Sequence, residues 1–348
     1  MSRRVTVNML FQLVHDFLKI YLPEQRNSSR HTIDSYRTSL ELLFDFVKQD
    51  KKINLNEITF EMLDNQTVIK FLDWLEKTRG CSVTTRNQRL ACIRAFYSYA
   101  ASAEITAVIY YEEFLKIPQK KSSEPDLIDY MRDATIKVLL EQPDTKTQKG
   151  LRDQFFMVLM YDTAARLDEM LSLKIKDIRL GSTPTARLFG KGSKVRTVPL
   201  MSKTIEHFKS YMAIFHKDED RLSDSFLFYI LRNDKKCKMS SDNVQKFIRE
   251  YGESARIICP EIPEKVHPHL FRHSRAMHLY QHGMDLTLIS QWLGHANLET
   301  TLVYAHADTE KKRKAIEAAT DGLMKNPQAV SKFDVNDDEV LKRLYGLK

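Results

Sequence analysis

His267-Pro268-His269-Leu270-Phe271-Arg272-His273-Ser274-Arg275 opens a short window of the chain, and Leu293-Gly294-His295 followed by Thr300-Thr301-Leu302-Val303-Tyr304-Ala305-His306 closes it. Seven of the eleven histidines fall between these limits: His267, His269, His273, His278, His282, His295 and His306. A metal site is the first chemistry to test, because His269 and His273 stand four apart on a helix-patterned stretch, as the two ligands of HExxH do. Position 270 is Leu where that motif needs glutamate, and Arg272 and Arg275 put positive charge where a cation would sit. The window is therefore read as holding no metal. Guanidiniums beside imidazoles suit the opposite task. Arg presents a planar fork that matches two phosphate oxygens, and His donates, accepts or transfers a proton near neutral pH. The stretch reads as a phosphate clamp.

Working outward, 348 residues with 43% hydrophobic content exceed one ordinary core, so two domains are expected. The formal charge of +8 favours an anionic partner such as nucleic acid, since clustered Lys and Arg displace condensed counterions. Cys81, Cys92, Cys237 and Cys259 lie far apart without CxxC spacing, which suggests neither a disulfide framework nor a zinc knuckle. Reduced thiols in a cytoplasmic protein are the expectation. No apolar run approaches the roughly 18 residues that span a bilayer, so no membrane association is expected.

Ile33, Tyr36, Leu40, Leu43, Phe44 and Val47 recur at helical steps between Ser29 and Gln49. A second amphipathic helix is expected from Ser82, its N-cap, to about Ser102, with Leu90, Ile93, Phe96, Tyr97 and Ala100 buried. With weaker helices near 8–21 and 60–78, residues 1–117 read as a helical bundle. Arg86, Arg89 and Arg94 crowd one edge of the second helix, as a solvated helix end or as phosphate contacts. Residues 118–125, with Pro118, Lys120, Lys121 and Pro125, look like a linker whose lysines lie along an anionic backbone. Residues 126–320 form a second, α-rich domain with helices at about 147–161 and 166–173 and short strands near 175–180, 186–189 and 195–199. Gly190-Lys191-Gly192-Ser193 supplies a hairpin turn between the last two strands. Helices are expected to dominate thereafter. In the tail, 321–348, an amphipathic segment from Asp338 to Leu347 needs a docking place on its own domain or on a neighbouring subunit.

At these residues the chain resembles the tyrosine recombinase, or phage integrase, family. His269-Leu270-Phe271-Arg272-His273 resembles its HxxRH box. Leu293-Gly294-His295 resembles its LGH box, with Tyr304 nine residues on as the nucleophile. Thr163-Ala164-Ala165-Arg166-Leu167-Asp168-Glu169 resembles its first arginine box, and Gly190-Lys191-Gly192 through Leu200 its lysine hairpin. Any single box recurs by chance; the ordered set is specific. Two departures stand out. Ala164-Ala165 precede Arg166 where Gly-Leu is usual, and Leu270-Phe271 precede Arg272 where Asp or Thr then Leu is more common.

The resemblance implies a mainly α protein: an N-terminal helical core-binding domain and an α-rich catalytic domain with a small antiparallel sheet, closing as a C-shaped clamp on double-stranded DNA. It implies a site-specific recombinase that uses neither metal nor nucleotide cofactor and passes through a 3′-phosphotyrosine. Tyr304 would attack phosphorus, Arg166 and Arg272 would hold the nonbridging oxygens, and His295 would add a hydrogen bond. His269 would take the phenolic proton and Lys191 would protonate the leaving 5′-oxygen, while Glu169 and His273 would support them from behind. Arg86, Arg89, Arg94, Lys120, Lys121, Lys194 and Arg275 are candidate DNA contacts. Recombination implies a tetramer on two DNA sites, with the C-terminal helix passing between protomers and partner recombinases as an open option. The atypical arginine boxes and the long tail favour a mobile-element enzyme over chromosome-dimer resolution. A type IB-like topoisomerase and a catalytically idle DNA-binding protein are the rival readings.

Overall fold

Side-chain oxygens decide where the N-terminal helices begin. Asn8 accepts from the Leu10 N–H ahead of α1 (Met9–Asp16), and Ser29 from Thr32 ahead of α2 (Arg30–Lys51). Asp64 does the same for α3 (Asn65–Lys77), and Ser82 for α4 (Val83–Ala103). Each cap satisfies an N–H that has no partner within its own helix. Between α1 and α2 the chain is π-helical over Phe17–Gln25, where Pro23, lacking an N–H, interrupts regular α pairing. α5 (Thr106–Leu115) completes this bundle. The structure is a computed structural model that describes residues 8–121, 129–190, 194–295 and 297–307, with positions 313, 316, 317, 339, 342, 343 and 345–347. It divides into two units, Met1–Pro125 and Asp126–Lys348.

The stripes read from sequence are the ones buried. Leu40, Leu43, Phe44 and Val47 of α2 meet Leu90, Ile93, Phe96, Tyr97 and Ala100 of α4 in one core, where Tyr97 lies edge-on to Phe114 at 4.4 Å. Arg86, Arg89 and Arg94, the candidate phosphate contacts on α4, each bond to groups of the bundle itself. Arg86 is only 4% exposed, donates to Asn87 and to the Pro118 carbonyl, and lies 3.6 Å from Glu76. Arg89 donates to the Ser35 carbonyl and the Ser39 hydroxyl. Arg94 caps the end of α5, donating to the carbonyls of Phe114, Leu115 and Ile117. Helix-end carbonyls have no intrahelical donor, and a guanidinium meets several at once. Lys120 is also engaged, at 2.6 Å from Glu76, whereas Lys121 is exposed. Residues 122–125 of the expected linker lie outside the described residues.

In the second unit, α6 (Asp133–Leu140) and α7 (Gln148–Thr163) are followed by α8 (Leu167–Ser172). A three-stranded antiparallel sheet comes next, β1 (Ile178–Arg179), β2 (Thr185–Phe189) and β3 (Val195–Pro199), in that order. The chain continues through α9 (Ser202–Phe215), the hairpin β4 (Tyr229–Arg232) and β5 (Lys235–Lys238), and α10 (Ser241–Ile258). It closes with α11 (Pro268–Gln281), α12 (Leu286–Leu293) and α13 (Glu299–Ala307). Phe155, Phe156, Phe208, Tyr211, Phe228 and Phe247 fill the core around α7. Asp162, near the end of α7, accepts from the Met201 N–H, the Thr204 hydroxyl and Arg275, fastening α9 and α11 to one helix. Arg275, a candidate DNA contact in the sequence, also lies over the Tyr161 ring. The β4–β5 hairpin departs from the expected run of helices. Its turn residues Asn233 and Asp234 both have positive φ, the geometry of a tight hairpin that these two side chains tolerate best after glycine. The amphipathic tail segment lies outside the described residues apart from isolated positions. Among the described residues no helix is long and apolar enough to cross a membrane.

Arg94→Met strands three carbonyls at the end of α5. Loss of about 1–3 kcal/mol is expected in urea unfolding of the full chain, as for a buried acceptor left without its donor.

Candidate active site

The first arginine of the site owes its place to a break between two helices. α7 ends at Ala164, which takes the left-handed conformation at φ 50° and is fully buried. The turn lets Arg166 start α8 as its N-cap, with its backbone N–H donating 2.8 Å to Glu169 Oε2, one turn on. That reciprocal bond is half of a capping box. The Arg166 guanidinium meets Glu169 Oε1 at 3.2 Å and keeps 38% of its side chain exposed.

Glu169 itself is buried and carries more than Arg166. Arg196 of β3 grips it with both terminal nitrogens, at 2.6 Å to Oε1 and 2.8 Å to Oε2. Burial opposes the charge on Glu169, but Arg196 and then Arg166 outweigh it and hold the carboxyl below its usual range. Arg196 had no assigned role in the sequence reading. The available signal was its place in β3, where alternation puts it on the same face as buried Val198. Two glycines lie close to the pair of Arg196 and Glu169. A Cβ on Gly294 would sit 3.1 Å from the Arg196 Cδ, at a φ of 64°, and one on Gly190 would sit 3.2 Å from Glu169 Oε1.

Arg272 is 4% exposed and held by two helix ends. It donates 2.7 Å to the carbonyl of Ala164 after α7, and 2.6 Å to that of Leu293, the last residue of α12. Both carbonyls lie at the negative pole of a helix, which favours a cation there. Burial, then Arg166 and Arg196, push Arg272 down to about 9, so it remains charged at neutral pH.

The LGH turn delivers the next group. Gly294 ends α12 in the left-handed conformation, and His295 follows with Nδ1 2.8 Å from the Thr301 hydroxyl. Thr301, fully buried and also without an assigned role, spends its hydroxyl on the ring and leaves Nε2 as the other polar edge. Desolvation, then Arg272, Arg166 and Arg196, lower His295 to about 4. Tyr304 lies one turn after Thr301 on α13, is 1% exposed, and packs with Ala164, Ala276, Met277, Ile289 and Leu293. Its hydroxyl is 3.0 Å from His273 Nδ1. Burial raises the phenol while Arg272 lowers it, with a net rise.

His269 stands one turn before His273 at the solvent side of α11; desolvation, then His267, Arg272 and Arg166, push it down. Lys191 lies outside the described residues. The root of its hairpin is closed by the Gly190 N–H donating 2.7 Å to the Lys194 carbonyl, and the Lys194 side chain is exposed. Thus Arg166, Glu169, His269, Arg272, His273, His295 and Tyr304 are joined by contacts or mutual fields, with Arg196 and Thr301 added. Among the described residues no group of three His, Cys, Asp or Glu side chains has the placement to hold a metal ion.

Residues 129–311 match the phage integrase family model, and residues 15–104 match the model of the phage integrase N-terminal SAM-like domain. This chain belongs to the phage integrase family. It is an enzyme of the tyrosine recombinase type, a class that breaks and rejoins DNA. An integrase/recombinase-type protein of Sinorhizobium fredii is 32% identical over 308 residues, covering 88% of this chain and 90% of its own length. Tyrosine recombinase XerD of Staphylococcus epidermidis is 28% identical over 307 residues, covering 87% of this chain and 96% of that one. The fold is that of the XerH site-specific recombinase in a post-cleavage complex with difH substrate, at a TM-score of 0.64 and 23% identity, covering 88% and 87% of the two chains. The Tn1549 transposon integrase bound to transposon right-end DNA has the same fold, at a TM-score of 0.62 and 16% identity, covering 89% and 98%. The expected mainly helical architecture with small antiparallel sheets is thereby established.

Arg196→Met leaves the buried Glu169 carboxylate with Arg166 alone, and a loss of about 3–5 kcal/mol is expected in urea unfolding. Glu169→Gln gives a pH signature. The folded carboxyl titrates below the ordinary 4.5, so its stabilisation is complete above that pH and is lost as pH falls through the folded value. The stability gap between wild type and Glu169→Gln is therefore widest above pH 4.5 and closes in acid.

Proposed function

We propose that this recombinase is the integrase or transposase of a mobile element and that it cuts double-stranded DNA through Tyr304, forming a 3′-phosphotyrosine and a free 5′-hydroxyl. The observation that carries this reading is charge. Glu169 pairs with Arg166 and Arg196, while Arg272 feels its charge only at a distance, so three guanidiniums stand against one carboxylate and two positive charges are in excess beside a phenol. An anion completes such a site, and a DNA backbone phosphate is the anion that gives the phenol work to do.

Arg272 spends two of its N–H groups on helix-end carbonyls. Since a guanidinium has five, three remain for nonbridging oxygens, and Arg166 adds its own fork. In the tautomer whose Nδ1 accepts from the Thr301 hydroxyl, neutral His295 carries its one proton on Nε2, which donates to the same phosphate. Donors fixed in advance at developing charge are each worth roughly 3–4 kcal/mol. Glu169 keeps Arg166 in register, and Lys191 supplies the proton of the departing 5′-oxygen. The resemblance assigns the phenolic proton to His269, and α11 also carries His273. The ester stores the broken bond's energy, so rejoining needs no ATP.

One nucleophile cuts one strand, so exchange between two duplexes requires four chains, and a homotetramer on two sites in the cytoplasm follows. The mobile-element reading draws support from the transposon integrase fold and the Sinorhizobium relative, and from the departures at Ala164-Ala165 and Leu270-Phe271.

On a suicide duplex substrate the wild type accumulates a covalent adduct in denaturing electrophoresis, and Tyr304→Phe forms none; a persistent adduct in the variant would remove the nucleophile. Arg272→Lys, which keeps charge without the fork, slows cleavage by about 10²–10³-fold while DNA is still bound. Relaxation of supercoiled plasmid that carries no recombination site would reassign the enzyme as a topoisomerase.

A further inference from the structure

The Tyr304 hydroxyl is sealed from solvent and faces one nitrogen base, His273 Nδ1, at 3.0 Å, with the ring centroids 6.0 Å apart. His269, one turn earlier, has no hydrogen-bond partner among the described residues. We infer that His273, rather than His269, takes the phenolic proton of Tyr304 in the cleavage step and returns it on rejoining. The inference rests on Tyr304 as the nucleophile.

A phenol titrates near 10 in water, and burial raises this one further, so phenolate is scarce at neutral pH and a base within hydrogen-bond reach is required. The base must be uncharged to accept. His273 is faced by His267, His269 and Arg272 from α11 and its N-cap, by Tyr304 from α13, and by His295 from the turn after α12. Desolvation, then this cationic company, hold it down to about 4, which keeps the ring neutral before DNA arrives. A phosphate bound among Arg166, Arg272 and His295 offsets that field, so the imidazole becomes a better acceptor only with substrate in place. The step balances. The tyrosine O–H bond breaks and its proton passes to Nδ1, the tyrosine oxygen bonds phosphorus, the bond to the 5′-oxygen breaks, and that oxygen takes a proton from the donor assigned to Lys191.

The test is single-turnover cleavage of a suicide duplex by the full-length enzyme between pH 6 and 9. His273→Gln keeps a polar side chain beside the tyrosine but accepts no proton, and a loss of about 10²–10⁴-fold at pH 7 is expected. The loss shrinks by about tenfold per pH unit as ionisation of the phenol replaces the base. Imidazole added to His273→Gly restores cleavage. A substrate with sulfur at the bridging 5′ position needs no leaving-group proton, so it rescues Lys191→Ala and leaves His273→Gln slow. A loss that is independent of pH and unmoved by imidazole would show that His273 only packs, and faster cleavage would show that it restrains the tyrosine; either overturns the inference. So does a normal His273→Gln beside a His269→Gln that carries the pH signature. An adduct formed by Tyr304→Phe strikes the nucleophile assignment instead, and the two failures are thus separable.

Discussion

A single buried carboxylate keeps the catalytic end of this molecule in order. Glu169 accepts four hydrogen bonds, from the Arg166 backbone, the Arg166 guanidinium and both terminal nitrogens of Arg196. Its two oxygens thereby tie the start of α8 to β3. A buried ion pair is no guarantee of net stability, because desolvation offsets much of the attraction. Its value here is registry, since the bidentate fork accepts only one placement of β3 against α8. The hairpin that begins at Gly190 leaves the same carboxylate at close range, which a side chain at 190 would crowd.

The second arginine is fixed by a different device. Arg272 is held by the carbonyls where α7 and α12 end, and both ends depend on a left-handed residue, Ala164 and Gly294. Alanine in that conformation costs about 1–2 kcal/mol that glycine avoids. The methyl of Ala164 is in return fully buried against Met277, Leu293 and Tyr304. The substitution that departs from the usual arginine box is therefore part of the packing around the tyrosine, and the carbonyl that reaches Arg272 is kept.

Much of this was legible in the chain before any coordinates. The stripes on α2 and α4 obey helical spacing because burial selects one face, and the cap at Ser82 follows from a hydroxyl that competes for backbone N–H groups. The β4–β5 hairpin was not seen, although Asn233-Asp234 carries the turn chemistry, because Arg232, Lys235 and Lys236 mask any alternation of apolar residues. Arg86, Arg89, Arg94 and Arg275 show the converse limit. Charge in a sequence advertises an external anion, but it does not reveal that each of these four also holds a carbonyl, a hydroxyl or a carboxylate of the chain itself.

The order of Arg166, His269, Arg272, His295 and Tyr304, each within its own short box, determined the family and the chemistry to look for, because each box is local and survives as text. Only the tertiary structure decided the pairings: Arg196 on Glu169, Thr301 on His295, and His273 on Tyr304. Each pairing except Thr301 with His295 joins side chains at least 27 positions apart. Which of two histidines on one helix meets a phenol depends on how α11 is rotated against α13, and that rotation is set by the packing of Ala276, Met277, Ile289 and Leu293, whose apolar side chains carry no sign of the chemistry they aim.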